Sequence, residues 1–288
     1  MIKVKHIIFT GLIALFISPV MAQPSVFTPG DYRDGVYDKE NSVNRRPIPY
    51  THLRQADVTW QKRVWRKIDM REKINQQLYY PLEVNTSRIS LLQTIVKYLL
   101  SGEIMAFSTM NDEFLIPMEK AEIRDKLIER EDSSDVEQFD AAGNSIITKM
   151  PGAVDSAWMF RNLTEIEMKE DWFFDKQKST LEVRILGMCF NAAKKGKEEI
   201  GGIPQFWVYF PACRKYLAKH EVFNVKNDSE RRTYDDIFWK RQFSSLITKE
   251  SNVYDRDINF HAKGLEAILE SDRVKGDIFR WEHDLWHF

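Results

Sequence analysis

The clearest pattern of apolar and polar positions lies after Pro81, where large aliphatic residues recur at intervals of three and four. Asn85 or Thr86 stands where a capping side chain is needed, and Gly102 stands where a glycine commonly ends a helix. The pattern predicts a core helix between these residues. Its apolar face would consist of Ile89, Leu92, Ile95, Val96, Leu99 and Leu100.

A different periodicity dominates the middle of the chain. Polar and apolar residues alternate over 163–175, and the apolar segments 181–190 and 204–213 follow. The segment 176–179 has the composition of a turn, and glycines lie before residue 204. Alternation with a period of two is typical of strands, so we expect a three-stranded antiparallel meander.

The remaining periodic segments are mostly helical. Asp57 can cap a helix that runs to about Met70, whose apolar face would consist of Trp60, Val64, Trp65 and Ile68. An interrupted strand is the alternative, and it would use Val58, Trp60, Val64, Ile68 and Met70. We favour the helix. Residues 104–108 are expected to form a short strand, Pro117 to open a charged helix, and residues 230–250 and 262–269 and the end of the chain to be helical. The expected fold class is α+β, a single mixed body with a short antiparallel meander and several helices, preceded by an extended N-terminal arm.

The first residues predict an exported protein. Lys3 and Lys5 precede an apolar run over residues 7–17, which has the length of a signal-peptide core and is too short to span a bilayer. Residues 1–22 are therefore interpreted as a signal peptide, cleaved after Ala22. The next residue is Gln23 and not a lipid-accepting cysteine, so the mature N-terminus would carry no lipid, and we expect a soluble, exported protein.

Composition divides the rest of the chain. Residues 23–55 are rich in Pro, Gly, Asp and Asn and are interpreted as an extended arm, and residues 56–288 as the folded body. The acidic and Gly-containing segment 131–154 is expected to be an exposed insertion. With 43% hydrophobic residues and a formal net charge of −1, the chain can bury a core and gives no reason to propose nucleic acid as a partner.

The sequence contains no local motif for nucleotide binding, nucleophilic catalysis or a CxxC redox pair. His283 and His287 are one helical turn apart, but two ligands do not make a zinc site. Cys189 and Cys213 would lie at distant points of the predicted hairpin, which disfavours a disulfide. We expect no catalytic residue, no metal and no cofactor. The alternative is an exported hydrolase that uses carboxylates, such as the pairs 165/167 and 235/236, or a His-bound metal.

The segment from Arg46 to Pro81 is the strongest candidate for binding a macromolecule. It places aromatic residues among eight Lys or Arg and three acids, a composition that is typical of interface hot spots. Part of it could equally be an ordinary amphipathic helix with Trp60 and Trp65 in the core, and a monomeric binding module of the cell envelope is a further alternative. The predicted partner-binding residues are Tyr50, Trp60, Arg63, Trp65, Arg66, Tyr79 and Tyr80.

The same segment, RPIPYTHLRQADVTWQKRVWRKIDMREKINQQLYYP, resembles the signature region of the GldN/PorN family. Residues 206–224 and 233–258 are also similar to that family, which belongs to the gliding motility and type IX secretion machinery of Bacteroidota. The resemblance implies a non-enzymatic structural component of a periplasmic ring that forms by self-association. It also implies binding to an outer-membrane lipoprotein of the GldK/PorK type, the only link to the membrane, and to a trans-envelope motor-coupling protein of the GldM/PorM type.

Overall fold

An antiparallel sheet of six strands organises the protein, which we describe from a computed structural model. The described residues are 44–85, 88–130, 134–139, 145–150, 154–193, 202–224, 226–227 and 229–284. The predicted signal peptide and residues 23–43 of the predicted arm lie outside these ranges.

The strands within the described ranges are β1 (Val58–Asp69), β2 (Ala106–Phe107), β3 (Glu129–Arg130), β4 (Ser134–Phe139), β5 (Ser145–Met150), β6 (Val154–Asp155), β7 (Leu163–Asp175), β8 (Thr180–Ala192), β9 (Ile203–Tyr209) and β10 (Leu246–Glu250). The helices are α1 (Gln76–Tyr79), α2 (Leu91–Ser101), α3 (Lys120–Leu127), α4 (Trp158–Arg161), α5 (Phe210–Leu217), α6 (Tyr234–Trp239) and α7 (Leu265–Asp284). Short 3₁₀ turns occur at Gln55–Asp57 and Ile258–Phe260. The expected mixed α+β class is confirmed.

The main sheet has the strand order β10-β1-β7-β8-β9-β2. Its centre is the predicted meander, since β7 pairs with β8 and β8 with β9, all antiparallel. The boundaries of β7 agree with the predicted 163–175. β1 lies between β7 and β10, so the first and the last strand of the chain are neighbours.

The helix predicted over residues 57–70 is wrong, because this segment forms β1. Trp60, Val64 and Ile68 are four residues apart, and four is both close to one helical turn and two full strand periods. Trp65 was assigned to the same helical face, but in the strand it points to the opposite side and packs with Cys189 and Trp207. Both sides of β1 are covered, and a strand that is buried on both sides loses the simple alternation that identifies it.

The helix after Pro81 is present but begins later than expected. The N-cap of α2 is Ser90, whose hydroxyl accepts from the backbone N–H of Gln93, while the Gln93 side chain accepts from the N–H of Ser90. This capping box sets the first helical residue at Leu91. Gly102 ends the helix with a positive φ of 89°, as predicted. The expected short strand is β2, and the charged helix after Pro117 is α3.

Two further boundaries differ from the predictions. Residues 210–213 were expected to continue β9, but Pro211 at the start of α5 favours a helix because proline lacks the N–H that a strand needs. The helix expected over residues 230–250 is wrong beyond Trp239. Arg241 adopts a left-handed φ of 53°, and the chain then returns as β10 to pair with β1.

The predicted insertion 131–154 contains strands β4 and β5, which pair with each other. At the other end, the two helical segments expected after residue 262 are one helix, α7.

Two apolar clusters cover one side of the sheet. The larger one joins β1, β7, β8 and β9 to α2, α5 and α6, and the smaller one joins Val64 and Ile247 to α7. No helix within the described ranges is long and apolar enough to cross a membrane.

Candidate partner-binding surface

Four of the predicted binding residues lie on β1, namely Trp60, Arg63, Trp65 and Arg66, and their side chains alternate between the two faces of the sheet. Arg63 and Trp65 share one face, and Arg66 lies on the other. Each of them contacts partners within the chain, which we describe in turn.

Arg63 and Trp65 are bonded to acids on the sheet and on the loop after β2. The Arg63 guanidinium donates from Nε and Nη2 to the two carboxylate oxygens of Asp171, at 2.7 and 2.9 Å. Trp65 Nε1 donates to Asp112 Oδ2 at 2.6 Å. Lys169, which pairs with Trp65 across the strands, forms an ion pair with Asp112 at 3.1 Å. The polar groups of Arg63 and Trp65 are therefore bonded to acidic residues of the same chain.

Arg66 lies between Val64 and Ile68 along β1 and forms the most buried ion pair of the described residues. Its Nε is 3.1 Å from Glu170 Oε2, and the Glu170 side chain has no exposed surface. Trp172 Nε1 and Arg241 Nη2 donate to the same oxygen, each at 3.1 Å. Burial lowers the pKa of Arg66, and the Glu170 charge opposes this effect. The Glu170 carboxylate is thus the counter-charge of both Arg66 and Arg241.

Trp60 attaches the C-terminal helix to the sheet. Its ring stacks on Trp281 of α7 with a centroid distance of 4.4 Å and an interplanar angle of 17°. Phe174 meets the Trp281 ring edge-on, with a centroid distance of 5.7 Å. Such stacked and edge-on geometries are the favourable arrangements of aromatic pairs, so the role of Trp60 that the structure describes is packing.

Tyr50 lines a cleft of about 370 Å³ that lies between residues 48–51, β8 and the helices α5 and α6. Its ring stacks on Trp239 at 5.7 Å, and the Arg214 guanidinium lies 4.4 Å from the ring centroid. Arg214 in turn holds Asp235 through two hydrogen bonds of 2.8 and 3.0 Å. Burial raises the pKa of the Tyr50 hydroxyl, and burial also raises that of Asp235 although Arg214 opposes it. The cleft is thus built around an internal ion pair.

Tyr79 and Tyr80 follow α1 and differ in exposure. The Tyr79 hydroxyl donates to the carbonyl of Arg161, whereas Tyr80 is 52% exposed and meets Tyr79 edge-on at 4.9 Å. Tyr80 lies on a groove of about 1050 Å³, which is lined by nearby residues such as Arg88 and by residues far along the chain, among them Phe223 and Arg232. No local pattern could have joined these residues, because they meet only in the folded chain.

Partner binding by the seven residues stays a prediction. Tyr80 is exposed, Trp65 and Arg66 are buried, and Tyr50, Trp60, Arg63 and Tyr79 are half-buried. Side chains that hold the fold together can still border an interface, but their strongest contacts are internal. Tyr80, which borders the groove, is therefore the predicted residue whose side chain is most open to solvent.

The residues considered for hydrolytic chemistry also have structural partners. Glu165 pairs with Lys67 at 2.5 Å, Asp235 with Arg214, and Asp236 accepts from the backbone N–H of its helix cap Thr233. Glu167 is different, since burial and then Asp257, Asp112 and Glu165 raise its pKa to about 7. His287 lies outside the described residues, and among those described no group of three His, Cys, Asp or Glu could hold a metal ion.

Both cysteines are free and buried. Burial raises the pKa of the Cys213 thiol to about 12, and its Sγ donates to the carbonyl of Tyr209. A thiol with so high a pKa is a poor nucleophile.

A comparison with protein families gives one result that covers most of the chain. The family model described as "Gliding motility associated protein GldN" matches residues 53–287. A search of the curated proteins finds no match. The matched range begins just before β1 and includes every helix and strand described above.

Proposed function

The chain belongs to the GldN family of gliding motility associated proteins, and from that membership we propose that it is a structural component of a periplasmic ring in the type IX secretion and gliding motility machinery. The observation that carries the proposal is the match over residues 53–287. The family is a gliding motility component and not a known enzyme family, so our proposal is non-enzymatic. The predicted signal peptide supports the periplasmic location.

The proposed partners are an outer-membrane lipoprotein of the GldK/PorK type and a trans-envelope protein of the GldM/PorM type. In this arrangement the lipoprotein holds the protein at the outer membrane, and the trans-envelope protein couples it to the inner membrane. Self-association completes the proposal, because a closed ring of identical subunits requires two different surfaces on each subunit.

The outer face of α7 supports a role in self-association. The helix buries Ala267, Val274 and Ile278 against the sheet, and its opposite face exposes Leu265, Leu269 and Phe279 by 60 to 71%. An amphipathic helix of a monomer normally turns polar residues to solvent. Large apolar side chains at both ends of the solvent side of this helix support a protein contact there.

Co-purification is the test of the proposal. The full chain is co-expressed with a lipoprotein of the GldK/PorK type, and the outer-membrane fraction is examined by size-exclusion chromatography with light scattering and by electron microscopy. We expect the two proteins to elute together at a mass of many copies and to form ring-shaped particles. A lone monomer without the lipoprotein would refute the proposal.

Two sets of variants localise the self-association surfaces. Leu269→Lys and Phe279→Lys should reduce the mass of the assembly, while Glu266→Lys, on the flank of the same helix, should not. Deletion of residues 23–45 tests whether the predicted arm reaches a neighbouring subunit, and unchanged assembly would remove that role.

A further inference from the structure

The groove beside Tyr80 has an apolar floor that is open to solvent. Ile74 and Tyr80 are each 52% exposed and Phe223 is 41% exposed, although side chains of this kind are mostly buried elsewhere in the described fold. The Arg88 guanidinium lies over the Phe223 ring at 4.6 Å, which holds both side chains at the groove surface. About half of this aromatic and aliphatic surface therefore remains exposed within the described part of the chain.

The charged side chains in the described lining of the groove are all cations. Its described lining includes the four cations Lys73, Arg88, Lys226 and Arg232 and no carboxylate. Elsewhere, buried arginines face acids, as in Arg66–Glu170 and Arg214–Asp235. Arg232 instead donates to the neutral side-chain oxygens of Gln77 and Gln242. Its positive charge is thus oriented by neighbours that do not neutralise it.

Hydrogen bonds hold the wall of the groove that α1 forms with residues 242–244. Gln77 Nε2 donates to the carbonyl of Gln242 at 3.1 Å, and this bond ties α1 to the segment before β10. Asn75 has no exposed surface, and its side chain donates to the carbonyl of Ser244 and accepts from the Ser244 N–H. A preformed surface loses little conformational entropy on binding.

We propose that this groove binds an acidic segment of a partner protein that carries a large apolar or aromatic side chain. The apolar side chain packs between Tyr80 and Phe223, and the flanking carboxylates pair with the four cations. The occupant is a protein segment and not an anionic membrane, because the apolar groups line a recessed groove of about 1050 Å³ and do not project to enter a bilayer. The assignment goes beyond the proposed function and does not depend on it.

Binding of a synthetic peptide to the full chain tests the proposal. The probe is a short fluorescent peptide of Asp and Glu residues around a Phe-x-x-Leu centre. One control peptide replaces the acids by Asn and Gln, and a second replaces Phe and Leu by Ser. We expect fluorescence anisotropy to report binding of the probe that is about tenfold or more tighter than that of either control. Because ion pairs on an open surface are screened, affinity should fall as NaCl rises from about 0.05 M to about 0.5 M.

Matched variants assign the binding to the groove. Phe223→Ser and the pair Lys73→Gln with Lys226→Gln should each weaken binding about tenfold or more. Phe279→Ser and the pair Lys263→Gln with Lys275→Gln, which make the same changes at α7, should leave it unchanged. Circular dichroism verifies that all variants are folded. Equal binding of the three peptides, no binding of the probe, or equal effects of groove and α7 variants would overturn the proposal. Binding to phosphatidylglycerol vesicles that is lost in the groove variants, without peptide binding, would overturn it in favour of a lipid surface.

Discussion

Replacing Glu170 by Gln should destabilise the protein more than any surface charge change. Glu170 has no exposed surface, and its Oε2 accepts from Arg66, Trp172 and Arg241 at 3.1 Å each. Glutamine keeps the size of the side chain but removes the charge that two arginines require. Arg66, with 7% of its side chain exposed, would then be a buried cation without a counter-charge.

The size of the effect follows from the burial. Removing one partner of a buried ion pair costs about 3–5 kcal/mol, because the remaining charge stays desolvated. For a domain of this size, each kcal/mol lowers Tm by roughly 2–4 °C, so the expected loss is about 6–20 °C. Asp277→Asn is the control, since Asp277 pairs with Arg273 and Arg280 on the exposed side of α7. Exposed pairs contribute about 1 kcal/mol or less.

Urea titration followed by tryptophan fluorescence measures both variants. If the unfolding midpoint of Glu170→Gln falls no more than that of Asp277→Asn, the reasoning is refuted. A second variant tests the cause. Arg66→Met combined with Glu170→Leu removes both buried charges, and it should recover much of the stability that Glu170→Gln loses, because apolar replacements of a buried pair are often close to neutral.

Three further predictions concern the sheet and its coverings. Glu167→Gln should stabilise the protein by about 1–3 kcal/mol at about pH 8 and not at about pH 4. Folding raises the pKa of Glu167 from 4.5 to about 7. The protonated side chain therefore contributes its full stability below pH 4.5, and that contribution is lost as the pH rises through 7. Urea titrations at both pH values measure it, and an equal effect at the two would contradict the assignment. Trp60→Ala should lower the free energy of unfolding by about 2 kcal/mol and increase hydrogen exchange in α7, because it removes the stack on Trp281. Phe279→Ala, on the exposed side of that helix, is the control. Equal exchange in both variants would show that the stack does not hold α7. Gly187→Ala should destabilise by about 1–3 kcal/mol, since a Cβ would lie 2.3 Å from Cζ of Phe114, whereas Gly276→Ala, with no atom within 4 Å of its Cβ, should be neutral or stabilising in the same thermal melts.

The meander could be predicted because its strands keep their own periodicity. The alternation over 163–175 and the turn at 176–179 are local signals, and local pairing follows from them. The helix after Pro81 could also be predicted, because its apolar residues follow the helical period and Gly102 marks its end. Its start was misplaced because Ser90 and Gln93 form the capping box, whereas Asn85 only looked like a cap.

The failures have a common physical cause, which is tertiary contact overriding local pattern. β1 and β10 pair with each other across most of the chain length, and neither has a clear alternation. Residues 246–250 were predicted as the end of a helix because nothing local shows that β1 has a free edge to receive them. The groove beside Tyr80 was missed for the same reason, since Arg88 and Phe223 meet only after folding.

The position of β1 between β7 and β10 has a consequence for how the chain matures. Until Leu246–Glu250 is in place, β1 presents a row of unpaired backbone groups along one edge, and such an edge readily pairs with another chain. A product truncated before residue 246 should therefore aggregate through β1, even though its meander is intact. Pairing of the last strand with β1 therefore does more than add five residues to the sheet, because it covers an edge that would otherwise be open to another chain.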